Sequence, residues 1–291
     1  MVNRVAAKVL IVGCGDLGGK VASQLAQLDY EVIGVRRRPH NMSDINTMHA
    51  DVTKPESLAV LKNIQPEILI YCVAANGQTD EQYKAQYVDG LNNVLATQHD
   101  NAALMHVFFV SSTRVYGQID SLTPDALLNE SSEAIPTDFG GERLLEAENL
   151  LKRFNPNNSA CGTTVLRLSG IYGPGRLRMI NLAKSPENWP EHNSWSNRIH
   201  RDDAAAFMVF LVEKVMMDSR IAPLYIVTDS KPTSQYEVLH WIAAQLKTAL
   251  PSTIPPIEGG KRLNNQAMLA SGFKLQFPDF QSGYQSLLAE L

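Results

Sequence analysis

Through the first 170 residues, short apolar runs alternate with stretches whose apolar positions recur every three or four residues. The runs are KVLIV (8–12), EVIGV (31–35), EILIYCV (67–73), HVFFVSS (106–112) and TTVLRLS (163–169). They lack a strict apolar–polar alternation, so each reads as a strand buried on both faces, as in a parallel sheet. Helices are predicted between them, from about Leu17 to Leu28 and near 55–63, 81–100 and 137–153. Repeated strand–helix units predict an α/β fold built on a doubly wound parallel sheet with right-handed crossovers.

After residue 170 the pattern loosens. GIYGPGR (170–176) and KSPENWPEHNSWSN (184–197) read as loops, rich in Gly, Pro, Asn and Ser. A helix over 203–217, a strand LYIV (224–227) and a helix over 234–249 follow, and LPSTIPPIEGGKR (250–262) leads into a mixed tail. The expected layout is a sheet domain over 1–170, to which 203–228 returns, and a small mixed C-terminal lobe made mainly of 171–291.

GCGDLG (13–18) has the spacing G-x-G-x-x-G, directly after the first strand and at the start of the first helix. That context makes the strand–helix pair a Rossmann-type dinucleotide-binding unit. Gly13 permits the tight turn, Gly15 lets the backbone approach a pyrophosphate, and Gly18 lets helix and strand pack closely. Asp16 and Leu17 open the helix, whose N-terminal N–H groups and partial positive charge favour phosphate. The bland alternative is a glycine-rich turn that holds no ligand.

The second strand bears on which dinucleotide is held. An acid at its end would bond the ribose 2′-hydroxyl of NAD, but VRRRP places Arg36, Arg37 and Arg38 there. A guanidinium grips a phosphate through two N–H groups, so NADP is preferred and NAD is the second choice. A solvated basic loop is the structural alternative.

Composition narrows the rest. The formal net charge is −4, and Arg36–Arg38 is the one basic block, which leaves no electrostatic footprint for nucleic acid. Cys14, Cys72 and Cys161 show no C-x-x-C spacing and fit reduced thiols. The N-terminal MVNRVAAKVL superficially suggests a leader, but Lys8 interrupts it and a glycine turn follows. No stretch approaches the ~20 apolar residues of a membrane span. The expectation is a soluble cytoplasmic protein with a small-molecule substrate and neither a nucleic-acid nor a membrane partner.

With the glycine turn, the segments ADV (50–52), VAA (73–75), VSSTRVYG (110–117), FGGERLLEAE (139–148), LRLSGIYGPGR (166–176) and NRIHRDDAA (197–205) form an ordered set across nearly the whole chain. In this set the sequence resembles the extended short-chain dehydrogenase/reductase superfamily, the NAD-dependent epimerase/dehydratase family. G-x-G-x-x-G in place of G-x-x-G-x-x-G resembles its atypical members. The resemblance implies that Asp51 and Val52 border the adenine, that Ala74 and Ala75 pass beside the cofactor, and that the Ser112 hydroxyl meets a substrate oxygen. A strand-end serine tying down its own backbone is the alternative for Ser112. The resemblance also implies a homodimer through the helices matching 81–100 and 137–153.

The family's Tyr-x-x-x-Lys pair exchanges a proton with the substrate, the lysine lowering the tyrosine pKa and holding the nicotinamide ribose. Its positions are held here by Phe139 and Arg143. Phenylalanine exchanges no proton; Arg143 retains the charge to bind ribose hydroxyls, with a different plane and reach. Tyr87 stands where the family has Asn, and Thr113–Arg114 replaces the acidic pair of the sugar dehydratases, which argues against ordinary 4,6-dehydratase chemistry. Tyr172, Tyr87, Asp138 and His200 are the candidate replacement proton donors, His200 because imidazole titrates near working pH. Two readings result: an NADP(H)-dependent oxidoreductase or epimerase acting on a hydroxyl- or carbonyl-bearing substrate such as a nucleotide sugar, or a catalytically degenerate NADP(H) sensor.

Overall fold

The computed structural model describes residues 7–38, 45–117, 127–156, 161–251 and 253–291. Positions 1–6 of the leader-like run and Pro39 of VRRRP lie outside them. In chain order the elements are β1 (Lys8–Val12), α1 (Asp16–Gln27), β2 (Glu31–Arg36), β3 (Asn46–His49), β4 (Ile68–Tyr71), α2 (Asp80–Tyr83), α3 (Gly90–Thr97), β5 (His106–Ser112), β6 (Leu127–Leu128), α4 (Phe139–Arg153), β7 (Gly162–Leu168) and β8 (Gly170–Tyr172). There follow α5 (Arg178–Ala183), β9 (Asn193–Ser196), β10 (Arg198–His200), α6 (Arg201–Met216), β11 (Leu224–Val227), β12 (Thr233–Ser234), α7 (Gln235–Gln245), β13 (Ile257–Gly260), β14 (Arg262–Leu263), α8 (Gln266–Ala270) and α9 (Phe280–Ala289).

A seven-stranded sheet runs in the order β11-β7-β5-β4-β1-β2-β3. The β1–β2, β2–β3, β1–β4 and β4–β5 pairs are parallel. The order reverses at β1, whose neighbours are β2 and β4, and a doubly wound sheet opens a crevice at such a switch point. The runs read as doubly buried strands are so: Val9–Val12 and Ile68–Tyr71 are fully buried. β3 went unread because NTMH is a half-exposed edge strand with no apolar run. The helix expected near 81–100 is α2 and α3 joined by a π-helical turn over Lys84–Asp89. The stretch near 55–63 is a 3₁₀ helix.

The chain divides into two compact units. The first holds the described residues of 1–116 with Ala134–Arg167 and Ala205–Tyr225; the second holds those of 117–133 with Leu168–Ala204 and Ile226–Leu291. In the second, β10 pairs with β8, β9 lies between β12 and β13, and β14 pairs with β6. Its core gathers Tyr172, Trp189, Tyr236, Ile242, Phe280 and Tyr284. The segments read as loops over 170–176 and 184–197 thus contribute β8 and β9, because their partners come from distant parts of the chain. Among the described residues no helix is long and apolar enough to cross a membrane.

His106, at the start of β5, is 7% exposed; its Nε2 lies 3.0 Å from Thr164 Oγ1, and its ring packs 4.5 Å from that of Phe108. Any Cβ at Gly162 would collide with the imidazole, which accounts for the glycine there. Burial depresses the His106 pKa from 6.5 to about 4. Between these values the unfolded chain takes up a proton that the folded chain refuses. Stability is therefore full above pH 6.5 and falls as the pH drops toward 4, by roughly 3 kcal/mol at the lower end. Urea melts at pH 7 and pH 4.5 are expected to show this loss, and His106→Gln to reduce it.

Candidate functional site

β1 ends at Val12 and the chain turns at once through Gly13, whose φ is +94°. A Cβ there would strike the Cys72 carbonyl just past β4, so glycine is required twice over. The Gly13 and Cys14 N–H groups donate to the Val35 carbonyl at 3.1 and 3.0 Å, tying the turn to β2. Gly18 brings α1 onto the turn: its missing Cβ would stand 2.5 Å from the Gly13 carbonyl. Gly15 differs from both. It is exposed, and the nearest atom to its missing Cβ is the Gly13 oxygen at 4.0 Å. The space in front of Gly15 is open, and no side chain caps α1. An exposed glycine at a helix start that no side chain caps fits a diphosphate.

Arg36 closes β2, and Arg37 Nη2 donates to Asn76 Oδ1 beyond β4. The Asp51 carboxylate accepts from the Thr53 N–H at 3.0 Å and its hydroxyl at 2.8 Å. Partial burial raises the Asp51 pKa, but the Thr53 bonds and nearby Arg37 outweigh this and hold it below the ordinary value. Val52 is buried, and its carbonyl accepts from Asn93 Nδ2 at 2.9 Å. Ala74 is exposed; the Ala75 N–H bonds Tyr87, whose phenol burial pushes up to about 12. Of the cofactor residues expected from sequence, the turn glycines with Asp16 and Leu17 follow β1, Arg36 and Arg37 lie at the end of β2, Asp51 and Val52 follow β3, Ala74 and Ala75 follow β4, and Arg143 lies within α4.

Asp138 caps α4, its carboxylate accepting from the Gly141 N–H at 2.8 Å. Phe139 follows, and the Tyr83 ring meets it edge-on at 5.4 Å. The Arg114 guanidinium lies over both rings, 5.2 Å from the Tyr83 centroid and 5.3 Å from that of Phe139. A Cβ at Gly140 would collide with that guanidinium, so the glycine admits it. Arg114 Nε donates to Asp138 Oδ1 at 2.8 Å, and Nη1 donates to Tyr83 Oη at 2.9 Å. Burial pushes the Asp138 pKa up, but the Gly141 N–H and Arg114 pull it below the usual value. Ser112 Oγ accepts the Arg114 backbone N–H at 3.2 Å.

Arg143 is heavily engaged. Its Nε and Nη2 hold the two Asp80 oxygens at 2.7 and 2.8 Å, and Nη1 holds Glu146 Oε2 at 2.8 Å. These bonds, Asp80 first, raise its pKa. Three of its five N–H donors face carboxylates, which leaves two for any ribose. Tyr83 went unremarked in the sequence and Arg114 was noted only as replacing an acid. An arginine where the resemblance implies an acid, with a phenylalanine where it implies a tyrosine, was the available signal.

Tyr172 and His200 lie together in the second unit, rings 5.2 Å apart and edge-on, 4% and 2% exposed. Tyr172 stacks on Tyr284 at 4.5 Å, and a Cβ at Gly283 would strike its hydroxyl. Burial, then the Asp229 charge, raises the Tyr172 pKa, which favours its protonated form. His200 Nδ1 accepts the Asp202 N–H at 3.2 Å and its ring packs 4.0 Å from Phe277. His200 ends β10, directly before α6, and bonds back to the first turn of that helix. Among the described residues no cluster of His, Cys, Asp or Glu is placed to hold a metal ion.

Residues 9–220 match the model of the NAD dependent epimerase/dehydratase family. A solved structure from Methylobacillus flagellatus assigned to the NAD-dependent epimerases/dehydratases is 45% identical, covering 98% of this chain and 99% of its own, with a TM-score of 0.86. The enzyme WbmG of Bordetella bronchiseptica, solved with NAD and UDP, is 16% identical over 98% of this chain and 94% of its own, with a TM-score of 0.78. At that identity the likeness shows the fold. The decarboxylating sterol-4-alpha-carboxylate 3-dehydrogenase of Saccharomyces cerevisiae is 22% identical over 61% of this chain, and the match spans 54% of that enzyme's length.

The two kinds of glycine in the turn are separable by melting. Gly13→Ala forces a side chain into a positive-φ position against the Cys72 carbonyl. It is expected to cost at least on the order of 1–3 kcal/mol. Gly15→Ala, which meets no protein atom closer than 4.0 Å, is expected to lower the melting temperature less.

Proposed function

Because the chain belongs to the NAD-dependent epimerase/dehydratase family, of the extended short-chain dehydrogenase/reductase type, we propose that it is an oxidoreductase or epimerase using a nicotinamide dinucleotide on a hydroxyl- or carbonyl-bearing substrate such as a nucleotide sugar. The observation that carries this reading is the open gap before Gly15 at an uncapped helix start. When bound, the dinucleotide supplies or accepts a hydride. The chain's part is to hold and orient it: Gly13, Gly15, Asp16, Leu17 and Gly18 at the diphosphate, Asp51 and Val52 at the adenine, Ala74 and Ala75 beside the cofactor. Ser112 would bond the substrate oxygen. Solved neighbours of the same fold carry NAD with UDP or UDP-glucose, which motivates the nucleotide-sugar class.

NADP is preferred in this reading because Arg36 ends β2 and Arg37 follows it, where an acid would reject the extra phosphate. The second reading, an NADP(H) sensor without turnover, is favoured by Phe139 and by the carboxylates that engage Arg143. A homodimer through α3 and α4 is part of the proposal. Those helices border a groove of about 780 Å³ whose apolar lining includes Val88, Leu95, Leu145 and Leu150. So is a cytoplasmic setting, consistent with three cysteines that form no disulfide.

Fluorescence titration with NADPH and NADH tests the common part. NADPH is expected to bind at least ~10-fold more tightly, a difference of ~1.4 kcal/mol, and Arg36→Glu with Arg37→Glu to reverse the order. Binding of neither dinucleotide below millimolar concentration would overturn the reading.

A further inference from the structure

Phe139 leaves the usual proton-transfer position without a hydroxyl, yet a hydroxyl is present in the same cluster. Resting on the oxidoreductase reading above, we propose that Tyr83 is the proton donor and acceptor of this protein, held and polarised by Arg114.

Four observations converge. Tyr83 meets the Phe139 ring edge-on at 5.4 Å, so its phenol belongs to the neighbourhood of the vacated position. Arg114 Nη1 donates to Tyr83 Oη at 2.9 Å. That bond sets a cation against the phenol oxygen and fixes its place, the positioning service a lysine gives in a Tyr–Lys pair. The same Arg114 gives its backbone N–H to Ser112 Oγ at 3.2 Å, so one residue links both hydroxyls. Finally, the π-helical turn over Lys84–Asp89 starts immediately after Tyr83. An inserted residue of this kind resets the facing of the helix before it and recurs at functional sites.

The arrangement also provides a proton route. Tyr83 is 7% exposed, but its Oη donates to Gln78 Oε1 at 3.2 Å, and Gln78 is exposed. A substrate oxygen replacing Gln78 would receive that hydrogen bond. In the reducing direction the substrate carbonyl carbon takes a hydride from the reduced dinucleotide, which leaves oxidised, while the carbonyl oxygen takes the Tyr83 proton. The C=O double bond becomes C–O–H, and the Tyr83 phenolate, facing Arg114, regains a proton from water at the Gln78 edge. The oxidising direction runs these transfers backward. Tyr83 is thus the catalytic residue, and Arg114 a positioning residue that acts through it. Asp138 holds Arg114 from its other side.

Two measurements test this, and neither is confounded with the cofactor reading. The first is a crystal structure with bound NADP⁺ or NAD⁺. One oxygen can bond two hydroxyls only if they lie within about 6 Å of each other, at ~3 Å per bond. Tyr83 Oη and Ser112 Oγ are expected to meet that limit around a point beside the nicotinamide C4. A wider separation, or Phe139 standing between them, overturns the proposal whatever the substrate. The second is turnover with UDP-glucose as the probe, followed at the nicotinamide absorbance. Tyr83→Phe is expected to lose ~10²–10⁴-fold in kcat, the usual range for a lost general acid, with dinucleotide affinity unchanged. The exchange Tyr83→Phe with Phe139→Tyr is expected to regain at least ~10-fold of that loss, since it returns the hydroxyl to the other ring. Full turnover in Tyr83→Phe overturns the proposal while leaving the dinucleotide reading intact. Failure of the wild-type chain to bind either dinucleotide overturns that reading instead.

Discussion

The close approach of Gly13 to the Cys72 carbonyl is the constraint on which the nucleotide end of this protein depends. Where the strand order reverses, β1 and β4 are neighbours, and the chain leaving β1 must turn in the space beside the end of β4. Only a residue without Cβ and at ease with positive φ can do this. Once it does, the Val35 carbonyl anchors the turn from the other side, and Gly18 lets α1 start directly upon it. The open gap before Gly15 is then a consequence of the turn. It exists because Gly15 carries no Cβ, whose nearest neighbour would be the Gly13 oxygen at 4.0 Å, and because no side chain caps the helix behind it.

The surroundings of α4 are organised by charge. A buried pair fixes α4 to the sheet: Arg167 holds both Glu148 oxygens at 3.0 and 2.7 Å, and Ser111 donates to Glu148 at 2.7 Å. Such a pair adds little net stability, yet loss of either partner strands a buried charge, so it specifies position strongly. Two arginines, Arg114 and Arg143, stand by the first turns of α4. Arg143 is bound by Asp80 and Glu146, and Arg114 by Asp138. The carboxylate against Arg114 also caps α4, so the helix start, the cation and the two aromatic rings are set together.

Much of this was legible in the linear sequence. LYIV over 224–227 and KVLIV over 8–12 are strands with those bounds, since a doubly buried strand must be apolar throughout. The glycine turn was legible because its requirements are local. The strands β8, β9 and β10 were not, as Tyr172 pairs with His200 and Trp195 with Ser234, and no local pattern encodes pairing across such separations. The π turn escaped for a related reason: residues 81–100 carry one helical pattern, and the insertion shows only in the backbone. In the site, Phe139 and Arg143 could be read as substitutions one by one. Tyr83 and Arg114 stand 31 residues apart, and only folding brings hydroxyl and guanidinium to 2.9 Å.

The identity of residue 114 bears on whether Phe139 marks loss or rearrangement. An acid at 114 would face Asp138 across the start of α4 and would have no N–H to give a nearby phenol. Arginine reverses both terms: it neutralises Asp138, spreads over two aromatic faces and donates to Tyr83. A decayed site has no requirement for a hydroxyl paired with a cation beside the vacancy. Nor does it require a glycine at 140, whose absent side chain leaves room for the guanidinium. The three features serve one geometry, in which Phe139 acts as the apolar wall against which the Tyr83–Arg114 pair is held.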